Sequence, residues 1–146
     1  MRAAIRCGLL IVALSASARP VLAESENDQW ERALANAQTL IQARTSEVRD
    51  LRKKTDELVE SLNKLAQTKV LKVTPEFKQE IARKRLYYYT QLGRLNAGVV
   101  ELEQTLPKKV APIAQQKVLN LLTVLRGELR ATVIALNHVA RSLKDL

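Results

Sequence analysis

The sequence predicts an all-α fold, an elongated antiparallel three-helix bundle with coiled-coil packing. Two observations carry this. Apolar residues recur at alternating spacings of four and three in three separate stretches, and short proline-containing segments divide those stretches. A 3.5-residue period lays such side chains in one seam along a helix, and a seam of this length must be buried against other helices. A third observation sets the context. The amino terminus reads as an export signal that is removed.

Arg2 and Arg6 give that leader a positive start, and Gly8 to Ala18 is mostly apolar or small. Val21-Leu22-Ala23 is a small-residue cleavage pattern, which places the cut after Ala23. The apolar run is far shorter than the ~20 residues that span a bilayer. Arg19 and Pro20 also interrupt it. Cys7 stands at the start of the run, whereas a lipid-modified cysteine would stand at its end. The expected organisation is therefore a signal peptide over 1–23 and one helical bundle domain over 24–146. That length suits a single domain.

The 24–146 segment contains no cysteine and no methionine. No disulfide can hold it in an oxidising compartment, so its stability must come from the apolar seams. A cysteine-free exported helical domain points to a bacterial periplasm, or otherwise to secretion. Removing Arg2, Arg6 and Arg19 lowers the net charge from +9 to +6.

The first helix is expected over 28–68. Its seam is Trp30, Leu34, Ala37, Ile41, Arg44, Val48, Leu51, Thr55, Leu58, Leu62 and Leu65, in which only Arg44 and Thr55 are polar. Ser25 and Asn27 are the candidate N-caps, and Glu26, Asp28 and Glu31 suit the positive end of the helix dipole. Ala33, Leu40, Val59 and Ala66 lie beside the seam and widen the expected apolar face. A wide face suits a bundle helix that touches two neighbours.

The second helix is expected over 75–106. Thr74-Pro75-Glu76 is a start signal: a capping side chain, a ring pre-set for the first helical position, and an acid near the dipole. Its seam is Ile81, Arg85, Tyr88, Leu92, Leu95, Val99, Leu102 and Leu106, with Phe77 one turn earlier. Gly93 and Gly98 each weaken a helix interior by about 1 kcal/mol relative to Ala. Pro107 ends this helix and Pro112 opens the third, expected over 112–145 with the seam Val118, Leu122, Leu125, Leu129, Thr132, Leu136, Val139 and Leu143. Short connections favour an up-down-up bundle. The competing arrangement is an opened hairpin that gives helices to a dimer. Leu51, Leu58 and Leu65 at alternate seam positions with Ile41 and Val48 would suit a parallel pair.

Antiparallel folding would gather Lys64, Lys69, Lys72, Lys78, Arg83, Lys84 and Arg85 at one tip near Arg141 and Lys144. Such a tip attracts anionic surfaces, or else serves as a solvated end. The most distinctive local string is Arg83-Lys84-Arg85-Leu86-Tyr87-Tyr88-Tyr89. Tyr88 belongs to the seam and Tyr89 flanks it, so both are expected in or near the core. Tyr87 points outward with Arg83, Lys84, Gln91 and Arg94. An exposed tyrosine among cations offers contact area with little entropy loss. The expected partner-binding residues are therefore Arg83, Lys84, Tyr87 and Arg94, with Lys69 and Lys72 at the tip.

Catalytic chemistry has no support in the residues. His138 is the single histidine and has no ligand-spaced companions. Glu101 and Glu103 face different sides of a helix, and Glu57 and Glu60 have no histidine beside them. There is no glycine-rich phosphate loop and no nucleophile elbow. Neither an enzyme activity nor a metal or other cofactor is expected. The expectation is a non-enzymatic exported interaction protein, an adaptor, scaffold or accessory subunit of a cell-envelope or secretion assembly. It would act through a protein partner, with self-association into a homo-oligomer also open. The alternatives are a periplasmic holdase-type chaperone and a peripheral binder of anionic membrane surface. Basic residues beside aromatics also suit nucleic acid, but export and the lack of a nucleic-acid motif weigh against it.

Overall fold

The computed structural model describes residues 25–68, 73–106 and 112–146. Within them the chain forms three helices, α1 (Glu26–Gln67), α2 (Pro75–Thr105) and α3 (Pro112–Asp145), packed together. No strand occurs among the described residues. The expected spans agree with these bounds to within two residues at every end. The leader, the cleavage pattern, Lys69 and Lys72 lie outside the described residues.

The helix starts follow from local chemistry. Ser25 is in an extended conformation and its Oγ accepts a hydrogen bond from the Asp28 backbone N–H at 3.2 Å. Thr74 does the same for Phe77 N–H at 3.3 Å, with Pro75 at the first helical position. Each cap satisfies a donor that the first helical turn leaves without a partner. At the far end of α1, Thr68 N–H returns to the Lys64 carbonyl at 3.1 Å.

Side-chain contacts fix the directions of the helices. Arg49 and Arg52 of α1 reach Glu128 of α3 at 2.9 and 3.2 Å. Further along, Leu62 of α1 shares a cluster with Val139 of α3. An α1 residue therefore lies level with an α3 residue 76 to 79 positions later, and the two helices run parallel. Helix α2 runs the other way. Its Ile81 joins Leu62 and Val139, while Glu103 at its far end pairs with Arg126 at 2.5 Å. The α1–α3 contact is the most extensive, and α2 packs less closely on both.

Two apolar clusters occupy the interior. The larger includes Ile41, Val48, Leu51, Leu92, Leu95, Val99, Leu122, Leu125 and Leu136. The smaller, at the Leu62 end, holds Leu62, Ile81 and Val139 with Leu58, Phe77 and Leu143 packed against it. Two polar seam positions interrupt the apolar interior. Thr55 and Thr132 are fully buried and fall at the same level of α1 and α3. Each hydroxyl donates to a carbonyl of its own helix, Leu51 O at 2.9 Å and Glu128 O at 2.8 Å. Each polar group is thus satisfied without a partner on another helix. Arg85, close to the same level, sends Nε to the Leu136 carbonyl at 2.9 Å and holds its guanidinium 5.7 Å from the Tyr89 ring centre.

The seam expectations agree with the burial of all three helices, and the α1 seam is covered by α2 and α3 of the same chain. The flanking expectations do not all agree. Ala33, Leu40 and Ala66 are exposed, and only Val59 is half-buried. Thr45 is instead buried on the other side of the α1 seam, its hydroxyl bonded to Ile41 O at 2.7 Å. Burial on α1 leans toward α3, its closer neighbour. Glu128, held by two arginines, has a carboxyl pKa below its ordinary value. The hydrogen bond from Arg49 is the main cause, desolvation works against it, and Arg52 adds to it.

Candidate functional site

Tyr87 and Arg94 stand on the edge of α2 that faces α1, where the two helices leave an open groove of about 460 Å³. Leu51 and Leu95, both buried, and half-buried Tyr88 contribute its apolar surface. The Tyr87 and Tyr88 rings lie 5.9 Å apart at 58°. This is a tilted contact that holds Tyr87 in place while leaving it 61% exposed.

The α1 wall supplies Arg44, Glu47, Asp50 and Lys54. Arg44 is committed: Nη1 donates to both Glu47 oxygens at 3.1 and 3.0 Å. Its side chain also passes Gly98 of α2, where an added Cβ would stand 3.8 Å from Nε. That is ordinary contact, so Gly98 lets α2 lie beside Arg44 without being strictly required. Asp50, Lys54 and Arg94 have no ion pair among the described residues. The groove thus combines aromatic and aliphatic surface with two unpaired cations and one unpaired carboxylate.

Two of the sequence-derived residues, Tyr87 and Arg94, line this groove together, and Gln91 lines it between them. Arg83 is exposed one turn from Tyr87 and outside the lining. Lys84 is bound to Glu80 at 2.6 Å. The Glu80 carboxyl is held below its ordinary pKa by the Lys84 hydrogen bond and charge, and the Lys84 ammonium is raised by Glu80 in the same order. Lys64 forms the equivalent pair with Glu60 at 2.7 Å, which lowers the Glu60 carboxyl. These pairs offset part of the positive charge of the Leu62 end.

Tyr89 departs from the expectation of burial. Expected beside the seam in or at the edge of the core, it is 43% exposed and packs under Arg85. The α1 residues of the groove were not anticipated. Their signal was present, since Glu47, Asp50, Lys54 and Leu58 follow one edge of the α1 seam. Finding them required the α1–α2 register, which no single helix encodes.

His138 lies elsewhere, on the outer surface of α3, with Nδ1 3.3 Å from the Ser142 hydroxyl. Among the described residues, no three His, Cys, Asp or Glu side chains are grouped to hold a metal ion. No described helix is long and apolar enough to cross a membrane. Comparison with known protein families, with curated proteins and with solved structures finds no match.

Proposed function

We propose that this chain is a non-enzymatic exported interaction protein, an adaptor or accessory subunit of a cell-envelope or secretion assembly. In this reading the leader is cleaved after Ala23 and the helices act in the periplasm as a stiff coiled-coil rod. The observation that carries it is the α1–α2 groove, where exposed Tyr87 stands over apolar surface between Lys54 and Arg94. Aromatic anchors flanked by unpaired charges are the usual chemistry of contact hot spots. A protein partner would bury Tyr87 and give Lys54 and Arg94 acidic groups to meet. Arg83 and Lys84 stand at one end of this surface.

The test is capture from envelope extracts after crosslinking in place. Tyr87→Ala combined with Arg94→Glu should lower recovery of the crosslinked partner about tenfold, a loss of about 1.4 kcal/mol. Far-ultraviolet circular dichroism should be unchanged, because both side chains are exposed. Full recovery with the folded double variant would remove this surface from the proposal.

A further inference from the structure

The solvent side of α2, next to the groove edge, carries a second surface. Between Ala82 and Val100 its outward side shows Ala82, Leu86, Thr90, Gly93, Ala97 and Val100, with no charged residue among them. Leu86 is 66% exposed and Val100 45% exposed. Leu86 and Val100 are two of several large apolar residues left exposed, and these two share one uncharged strip. The helix that bears them is also the one packed least closely by its own chain.

The edge of this strip has a particular charge order. Arg83 and Glu101 are separated by about five full helical turns, so both stand on the same side of α2. Both are exposed, and neither has an ion pair or hydrogen bond among the described residues. They have opposite charges and lie at equal distances from Leu92, the midpoint between them. Two copies of a helix packed antiparallel about a two-fold axis bring the same edge of each together, head to tail. Centred near Leu92, that operation places Arg83 against Glu101 of the partner subunit, twice. It also sets Leu86 over Ala97 of the partner subunit. A Cβ at Gly93 would meet nothing within 4 Å, so packing inside the chain does not call for glycine there.

We propose that the outer face of α2 is a self-association surface, on which a second copy of this chain packs its α2 antiparallel and forms two reciprocal Arg83–Glu101 pairs. The uncharged strip keeps charge out of the middle of the contact, Arg94 stands at its edge, and the Arg83–Glu101 pairs fix the register. The strip borders the groove: Arg83 and Glu101 stand within about 20° of Arg94 round α2, and Arg94 lines the groove.

Sedimentation equilibrium on the full chain tests this. The chain should dimerise, and Leu86→Glu should give a monomer with unchanged helical content. Arg83→Glu alone, or Glu101→Arg alone, places like charges together at both pairs and should weaken association about 3- to 30-fold. The double reversal R83E/E101R should recover most of that loss. Lys54→Glu, on the α1 wall of the groove, should leave the dimer intact, which separates this result from the fate of the groove. A chain that stays monomeric up to about 1 mM would overturn the proposal. So would a dimer indifferent to Leu86→Glu, or single reversals that the double reversal fails to rescue.

Discussion

Replacing Leu125 with Ala should lower the unfolding free energy by about 2 to 5 kcal/mol. Leu125 is fully buried in the larger cluster, together with Val48 of α1 and Leu95 of α2. Truncation removes apolar contact and leaves a cavity that three long helices cannot close without shifting. Domains of this size are stable by only about 5 to 15 kcal/mol, so the change consumes a large part of the total. Urea denaturation followed by circular dichroism measures it. Leu119→Ala, at a site 45% exposed on the same helix, is the control and should cost under about 1 kcal/mol. Equal losses at the two sites would mean that the period does not mark the buried face.

Leu62→Ala should be almost as costly, about 2 to 4 kcal/mol, but its effect should be local. Leu62 is fully buried in the small cluster with Ile81 and Val139, beyond the level of Thr55 and Thr132. Losing one of three buried side chains should free that end before the rest. Amide hydrogen exchange should therefore speed up around residues 58–66, 77–85 and 137–143, while amides near Val48 and Leu125 stay protected. A uniform loss of protection would show that the two clusters form one cooperative unit.

The seams were legible because burial and period are the same physical fact seen twice. Ile41, Val48, Leu125 and Leu136 must leave water, and only a regular spacing lets one helix face hide them all. The helix starts were legible for a similar reason, since Ser25 and Thr74 act on donors three residues away. What the sequence did not reveal depends on neighbours. Leu40 and Thr45 lie on opposite sides of the α1 seam, yet the leucine is exposed and the threonine buried. That outcome follows from α3 lying closer to α1 than α2 does. Tyr89 is another such case. Its partner is Arg85, whose own position depends on the Leu136 carbonyl of a different helix. The candidate groove was half legible: the α2 residues came from one exposed face, whereas Glu47, Asp50 and Lys54 needed the register between helices.

The arrangement of the helices within one chain supports everything else, and electron–electron distances measure it directly. Spin labels would be placed at exposed Ser61 and Asn137, or at Ser61 and Gln116, after Cys7→Ser and after dilution with unlabelled chain. With α1 and α3 parallel in the same molecule, the Ser61–Asn137 pair should be close, about 10 to 20 Å. The Ser61–Gln116 pair should be more than about 30 Å apart. A long Ser61–Asn137 distance beside a short Ser61–Gln116 distance would contradict the topology. A short distance that vanishes on dilution would show that the helices come from different chains.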